Sequence, residues 1–242
     1  MPNSPRQFTL PLKFDSALAF ATFWAGSNAQ LVAHLIALSE GRAQGWAYIA
    51  GSHGSGVSHL LQASVNQASA AGQQVIYLSL QEMLIQAGEH SELNAAELMD
   101  AMEHYQLLCI DDIDALADQP LWQEALFYLL VKLQAQPNVR VIFGGSDGPN
   151  NLGLALADLR SRLAGATQFR LQPYSDTDKL RIMQYHAAQR GCEISDEVAQ
   201  YIVQRFSRDL PSLIDAVHRL DQYAMSESRK LTIPFAKKIL QL

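Results

Sequence analysis

A glycine-rich segment between a predicted strand and a predicted helix has the residue types of a phosphate site. Gly51-Ser-His-Gly-Ser-Gly-Val-Ser-His59 follows the apolar run Trp46–Ala50, which predicts a buried strand, and precedes Leu60–Val65, which predicts a helix. The backbone N–H groups of such a turn and the dipole of the helix that follows favour a bound anion. The segment therefore predicts nucleotide binding, with a tight strand-to-helix turn as the plainer alternative.

The lysine that such a loop normally contains is absent. The full pattern is Gly, four residues, then Gly-Lys-Ser/Thr. Gly51, Gly54, Gly56 and Ser58 are in place, whereas Val57 stands where the lysine belongs. Because phosphoryl transfer depends on positive charge near the transferred group, we expect a chain that holds a nucleotide but hydrolyses it poorly on its own.

Two consecutive carboxylates end a later predicted strand. Asp111 and Asp112 directly follow the apolar run Leu107–Ile110. At the carboxyl edge of a sheet, such side chains can hold a magnesium ion or its water shell. Taken alone they could equally cap the next turn, but the glycine loop upstream favours the magnesium site.

Three further polar residues could act on a phosphate. Asp147 ends the loop after the predicted strand Val139–Phe143, where a carboxylate can reach the terminal phosphate or the attacking water, although an ordinary loop fits the pattern as well. Arg160 and Arg162 are two residues apart on a predicted helix, so they face different sides. At least one should point outward, either as a solvated charge or as a finger that enters a neighbour's phosphate site.

Apolar runs and helical patterns alternate up to Pro173. Helical periodicity is clearest at Asn28–Ser39 and Leu121–Leu133. Together with Trp46–Ala50, four other runs predict buried strands: Val75–Leu78, Leu107–Ile110, Val139–Phe143 and Gln168–Leu171. The alternation predicts an α/β fold with a parallel five-stranded sheet in residues 14–173, followed by a small all-helical domain in residues 174–242.

Composition narrows the class of protein. The 18 basic and 24 acidic side chains give a net charge of −6. A protein that grips duplex DNA by itself normally carries a basic face, so direct DNA binding is disfavoured as the main task. No apolar run reaches the ~20 residues of a membrane helix, and a cytoplasmic location is expected. The histidines and the two cysteines share no metal-ligand spacing.

Over residues 14 to 242, the chain resembles the DnaA/Hda family of AAA+ proteins. Gly56-Val-Ser-His-Leu-Leu61 is similar to the family's Gly-Lys-Thr-His-Leu-Leu. Other segments in the family's order and spacing are Phe20–Asn28, which flanks the nucleotide base, Leu108–Ile113, Gly145–Asp147, Leu159–Leu163 and Leu231–Phe235, which ends the helical lid. The resemblance implies an AAA+ P-loop domain with a parallel five-stranded sheet, followed by a helical lid.

The resemblance also implies a set of nucleotide-site residues. Those expected to bind the nucleotide are Phe20, Phe23, Trp24, Ser52, His53, Gly54, Ser55, Gly56, Val57, Ser58, His59 and Asp147. Ser58, Asp111 and Asp112 are expected to hold magnesium, partly through water. Family members carry basic residues at the positions of Val57 and Pro211, so their absence favours a nucleoside diphosphate, expected to be ADP.

The N-terminal tail, residues 1–13, is predicted to be extended because it contains three prolines. Its segment Gln7-Phe-Thr-Leu-Pro-Leu12 is similar to the tail by which Hda-type regulators hold the replicative sliding clamp, the DNA polymerase III β subunit. The expected clamp-binding residues are Gln7, Phe8, Leu10, Pro11 and Leu12. An extended peptide with a few anchors can fill a pocket without a fold of its own.

The resemblance implies a regulator rather than an enzyme. DnaA continues into a helix-turn-helix domain, whereas this sequence stops where the lid ends. Docked on the DNA-loaded clamp, such a chain stimulates ATP hydrolysis by DnaA through Arg162 in trans, and touches DNA only indirectly. Self-association as a homo-dimer is left open. The alternatives are an active NTPase of the helicase-loader type, which would need a lysine in the loop, and an adaptor with a vestigial pocket.

Overall fold

The computed structural model describes residues 18–89, 95–100, 102–206, 209–227 and 231–241. The strands are β1 (Trp46–Ala50), β2 (Val75–Ser79), β3 (Leu107–Asp111), β4 (Arg140–Gly145) and β5 (Thr167–Arg170). The helices are α1 (Ala29–Ser39), α2 (Val57–Ala70), α3 (Leu80–Glu89), α4 (Ala95–Asp100), α5 (Pro120–Gln134), α6 (Ala157–Ala164), α7 (Asp176–Gln189), α8 (Asp196–Arg205), α9 (Leu210–Glu227) and α10 (Ile233–Leu240). Short 3₁₀ turns lie at Phe20–Thr22, Gly26–Asn28, Met102–His104, Ile113–Leu116 and Pro149–Asn151.

The five strands form one parallel sheet in the order β2-β3-β4-β1-β5, which confirms the predicted fold class. Each observed strand matches a predicted apolar run, with its ends shifted by no more than two residues. Ala50 lies opposite Gly145, and Ile110 lies opposite Phe143. The carboxyl ends of β1, β3 and β4 therefore lie side by side at one edge, where parallel sheets place their ligands.

The central strands are buried on both faces, which explains why their sequences are continuously apolar rather than alternating. All residues of β3 and β4 are buried. Two of them are charged, Asp111 at the end of β3 and Arg140 at the start of β4. Arg140 is 4% exposed and donates to the backbone oxygen of Leu38 and to Gln73 Oε1. The guanidinium thus binds a carbonyl at the C-terminal end of α1, where cations are favoured.

The chain divides into two compact units. The first contains residues 18–23, Gln30–Gly51 and Val57–Arg170, and it holds the sheet. The second contains the chain from Leu171 onward and two short earlier segments, Trp24–Ala29 and Ser52–Gly56. Its core is formed by helices α7 to α10. The second unit therefore includes part of the predicted base-flanking segment and most of the glycine loop.

The helices of the second unit begin at residues that satisfy their free N–H groups. The Ser195 and Thr232 hydroxyls accept from the N–H groups of Val198 and Phe235, at the starts of α8 and α10. Such caps stabilise a helix by about 1 kcal/mol each. In the described ranges, no helix is both long and apolar enough to cross a membrane.

Candidate nucleotide site

The glycine loop has the backbone geometry that its sequence predicts. Gly51 N donates to Gly145 O at 3.0 Å, which ties the end of β1 to β4. Ser55 N donates to Ser52 O at 3.0 Å and closes a turn. Gly54 and Gly56 have φ values of 73° and 105°, a region that residues with a Cβ rarely adopt. Helix α2 begins directly after them, at Val57, so its first N–H groups follow the loop without a break.

The Val57 side chain points into the first unit, where it lies beside Gly144. A Cβ at Gly144 would meet Val57 Cγ1 at 2.8 Å and Asp111 Oδ1 at 2.4 Å. Only a glycine fits between these two groups. At the position of the lysine, the structure therefore has a buried apolar side chain, 9% exposed, next to a strand-end carboxylate.

The carboxylates of Asp111 and Asp112 accept hydrogen bonds from groups of the protein itself. Asp111 is 2% exposed and accepts from Tyr77 OH at 2.8 Å and from the N–H of Asp112 at 2.9 Å. Asp112 accepts from Ser79 Oγ at 2.6 Å, and its φ of 58° is in the left-handed region. Burial, followed by the charge of Asp111, raises the pKa of Asp112. Tyr77 and Ser79 were not predicted; they reach the carboxylates because β2 pairs with β3.

The donor set suits a hydrated magnesium ion rather than a fully protein-bound metal. Among the described residues, no group of three or more histidine, cysteine, aspartate or glutamate side chains could hold a metal. Magnesium typically keeps several waters and binds one or two carboxylates together with nucleotide phosphates. The chemistry of Ser58, Asp111 and Asp112 fits that requirement, and each Asp111 oxygen retains capacity for a second hydrogen bond.

Asp147 lies in the turn after β4, where its carboxylate is already engaged. It accepts from Gly148 N at 2.7 Å and forms an ion pair with Arg170. The Gly148 N–H, followed by Arg170, lowers the pKa of this carboxyl. Tyr48 OH donates to the Asp147 backbone oxygen at 2.8 Å. Arg170 was not predicted, although a charged residue at the carboxyl end of a strand is a usable signal.

His59 contacts residues 19–23, the part of the N-terminal segment that belongs to the first unit. Its Nε2 lies 3.0 Å from the backbone oxygen of Ala19 and 3.3 Å from Thr22 Oγ1. Its ring meets Phe23 edge-on, with the centroids 5.4 Å apart. His59 and Phe23 thus lie together in the first unit, near the 3₁₀ turn that includes Phe20.

Trp24 and Asn28 are bonded to the start of the helical region within the second unit. Trp24 Nε1 donates to Asp178 Oδ1 at 3.0 Å, and Tyr174 OH donates to the Trp24 backbone oxygen at 2.9 Å. The Asn28 amide exchanges hydrogen bonds with the backbone of Gln172. Asp178 also belongs to the capping box of α7, and the Ser175 hydroxyl is the main cause of its lowered pKa. The Trp24 ring remains 39% exposed in a fixed position.

Pro211 lies against the glycine loop, also within the second unit. It is the second residue of α9, whose start is capped by Asp209 through the N–H of Ser212 at 2.8 Å. A Cβ at Gly54 would meet Pro211 Cγ at 2.7 Å and Cδ at 2.9 Å. An uncharged ring thus stands beside the loop at the position for which the resemblance implied a lost arginine.

The two arginines of α6 lie in different environments. Arg160 Nη1 donates to the backbone oxygens of Leu154 and Ala155, so it stabilises the loop that precedes α6. The Arg162 guanidinium lies 5.0 Å from the centre of the Phe127 ring and donates to Gln134 Oε1. Arg162 is therefore held, half-buried, at the surface of α5.

The remaining predicted residues fall into two groups. In the loop, Ser52, His53 and Ser58 are exposed, whereas Ser55 and Gly56 are half-buried. The expected clamp-binding residues, Gln7, Phe8, Leu10, Pro11 and Leu12, lie outside the described residues.

Two family models match the sequence. The bacterial DnaA ATPase domain matches residues 14–169, and the Hda lid domain matches residues 176–240. The first match alone covers more than half of the chain, and together the two span nearly all of the described residues.

Solved structures share the fold. Domain III of DnaA from Thermotoga maritima is 21% identical, with a TM-score of 0.80 over 96% of this chain and 98% of that one. AMPPCP-bound DnaA from Aquifex aeolicus is 20% identical, with a TM-score of 0.71 over 90% and 70%. The RuvB Holliday junction branch migration motor of Thermotoga maritima is 16% identical, with a TM-score of 0.65 over 90% and 69%.

Proposed function

Since the chain belongs to the DnaA/Hda family of AAA+ proteins, we propose that it is a nucleotide-bound regulator that stimulates ATP hydrolysis by the initiator DnaA. It acts while docked on the DNA-loaded sliding clamp and so prevents re-initiation of chromosomal replication. The observation that carries this proposal is Arg162, a guanidinium held at the protein surface by Phe127 and Gln134. In trans, an arginine stabilises the charge that develops on the γ-phosphoryl oxygens of a neighbour's ATP.

In this proposal the chain's own nucleotide is a structural ligand, a nucleoside diphosphate expected to be ADP. The N–H groups of the loop and of the α2 N-terminus bind its phosphates, and the Trp24 region flanks its base. Ser58, Asp111 and Asp112 would hold the magnesium ion and its waters, and magnesium, when bound, neutralises phosphate charge.

The chain itself is proposed to be inactive as an ATPase. Supporting this, Val57 is buried beside Gly144 and Asp111, at the sequence position where the full loop pattern has a lysine. Pro211 brings no charge to the loop either. Loss of one such electrostatic contact typically reduces the rate by ~10²–10³. The same features argue against an active NTPase of the helicase-loader type.

The decisive experiment replaces Arg162 by alanine and measures single-turnover ATP hydrolysis by DnaA with clamp-loaded DNA present. The variant should lose stimulation by on the order of 10³ or more, because that is what an arginine finger contributes. The protein without DnaA should hydrolyse ATP negligibly.

The matched control is Arg42→Ala. Arg42 is 63% exposed and pairs only at the surface with Glu40, so this variant loses the same charge with little effect on stability. It should stimulate DnaA fully. Full stimulation by Arg162→Ala, with the fold intact, would show that hydrolysis is triggered in another way.

A further inference from the structure

The side chain of Gln123, on α5, is a buried amide that is bonded to two other segments. The residue is 1% exposed. Its Nε2 donates to the backbone oxygens of Leu116 at 2.7 Å and Ala117 at 3.0 Å, and its Oε1 accepts from the N–H of Leu156 at 2.9 Å. Burying an amide is unfavourable unless its groups are bonded, and an apolar side chain would fill the space without that requirement. These bonds therefore specify how three segments are placed relative to one another.

The first of the two segments is the turn that follows the strand-end carboxylates. Leu116 ends the 3₁₀ turn that begins directly after Asp112, and Ala115 N donates to Asp112 O at 2.9 Å. Ser146 N, just after β4, donates to Asp114 Oδ1 at 2.9 Å. The amide of α5 is thus bonded to a turn that is itself tied to the carboxyl ends of β3 and β4.

The second segment is the start of α6, the helix that carries Arg162. Leu156 is the residue before the first turn, and its apolar side chain has no oxygen to cap the helix. The helix has eight residues, of which Leu159 and Leu163 are buried. Gln123 therefore adds a polar contact that fixes where this short helix begins, six residues before Arg162.

One face of α5 holds both ends of α6. Gln123 and Phe127 are four residues apart, so they lie on the same side of α5. The Phe127 ring lies 5.0 Å from the Arg162 guanidinium, which also donates to Gln134, two turns farther along. Helix α5 thus contacts the first turn of α6 through Gln123 and its last turn through Arg162.

We propose that Gln123 is a positioning residue for Arg162. By tying the start of α6 to the turn after β3, it holds the guanidinium where it can enter a partner's phosphate site. This inference rests on the proposed function, in which Arg162 acts in trans on DnaA. Misplacing a catalytic group by about 1 Å can reduce a rate ~10²-fold. Loss of the tie should therefore lower the stimulated rate without weakening the docking of the two proteins.

The test replaces Gln123 by methionine, which keeps the length of the side chain and removes the amide. Maximal stimulation of DnaA, measured by single-turnover ATP hydrolysis with clamp-loaded DNA and saturating variant, should fall by about 10- to 100-fold. The concentration that gives half-maximal stimulation should stay near the wild-type value. A merely structural glutamine would not separate these two quantities at a temperature where the variant is folded.

Gln73→Met is the matched control. Gln73 Nε2 donates to Ser39 O at 2.9 Å and its Oε1 accepts from Arg140 Nη2 at 2.6 Å, so it is also a bridging amide, at the amino edge of the sheet. Both substitutions should lower the melting temperature, but Gln73→Met should keep maximal stimulation while folded. Equal losses of stimulation in the two variants would overturn the inference, because they would reflect stability alone.

A second pair of variants tests the same hydrogen bond from its other end, and decides the matter if Gln123→Met does not fold. Leu156 has a φ of −75°, which proline can adopt, so Leu156→Pro removes the N–H that donates to Gln123. Leu156→Ala shortens the same side chain and keeps the N–H. Leu156→Pro should lose maximal stimulation by a similar factor, and Leu156→Ala should retain most of it. Equal stimulation by the two would overturn the inference.

Arg162→Ala separates failure of the inference from failure of the proposed function. If Arg162→Ala loses stimulation while Gln123→Met and Leu156→Pro keep it, the role of Gln123 is wrong and the proposed function stands. If Arg162→Ala stimulates DnaA fully, the proposed function fails and the inference falls with it.

Discussion

At the scale of single residues, the strand-end carboxylates combine burial with like charge. Asp112 lies beside Asp111, and burial followed by that neighbouring charge raises its pKa. Its ionised form is therefore disfavoured in the folded protein relative to the unfolded chain. Such a pair is unfavourable for stability but suited to a cation, because a bound positive charge would remove the repulsion.

We expect Asp112→Asn to raise the free energy of unfolding at pH 7, measured by urea titration with magnesium and nucleotide removed. Asparagine tolerates the left-handed backbone of this position and can still accept from Ser79. The cost that asparagine removes exists only while Asp112 is ionised. The gain in the free energy of unfolding should therefore shrink as pH falls through the folded-state pKa of Asp112. It should vanish below the unfolded-state value of about 3.9.

Asp118→Asn is the control for net charge, since it removes an exposed carboxylate from the same segment. It should leave stability unchanged. A gain from Asp112→Asn that persists at acid pH would mean that burial and charge are not its cause.

At the scale of elements, the glycine loop and the first turn of α9 are packed against each other within the second unit. Gly54→Ala should destabilise the protein for two reasons, its φ of 73° and the 2.7 Å approach to Pro211 Cγ. Gly72→Ala measures the effect of the positive φ alone, because Gly72 has a φ of 75° and a Cβ added there would meet no atom within 4 Å. We expect a loss of about 1–2 kcal/mol for Gly72→Ala and a larger loss for Gly54→Ala in urea unfolding.

Adding Pro211→Ala to Gly54→Ala should recover part of the difference, as a double-mutant cycle would reveal. Equal losses for the two glycine variants, and no recovery in the double variant, would show that the proline contact has no energetic weight.

At the scale of the whole molecule, the proposed regulator combines a clamp-binding tail with a nucleotide-stabilised body. Gln7→Ala with Leu10→Ala should abolish retention on immobilised clamp while leaving the body intact, because a tail that the sequence predicts to be extended would not contribute to the core. Intactness is measured by the rise in melting temperature with Mg²⁺ and ADP. A ligand that binds only the folded protein stabilises it by about 2.7 kcal/mol at a hundredfold excess over Kd.

Retention of the double variant at wild-type affinity would remove the tail from the proposed mechanism. A variant that loses both the clamp and the nucleotide-dependent shift would instead indicate a damaged body.

The sequence by itself determined the strands of the sheet and the residue types at their ends. The five apolar runs became the five strands, because strands buried on both faces need continuous apolar residues. The glycines between β1 and α2 required left-handed backbone that few other residues adopt, so the loop was predictable from its composition. The position of Asp111 and Asp112 at the carboxyl end of β3 was predictable because the two residues directly follow an apolar run. All of these signals are local in the chain.

Only the tertiary structure decided which of these residues meet. The strand order places β1 between β4 and β5, and that pairing brings Arg170 to Asp147 across 23 positions of sequence. Two other contacts depend likewise on packing between segments that are distant in the sequence. They are the contact of Pro211 with Gly54 and that of Arg162 with Phe127 of α5. No periodicity encodes such contacts, because they arise from strand pairing and helix packing, which bring together residues that no local pattern connects.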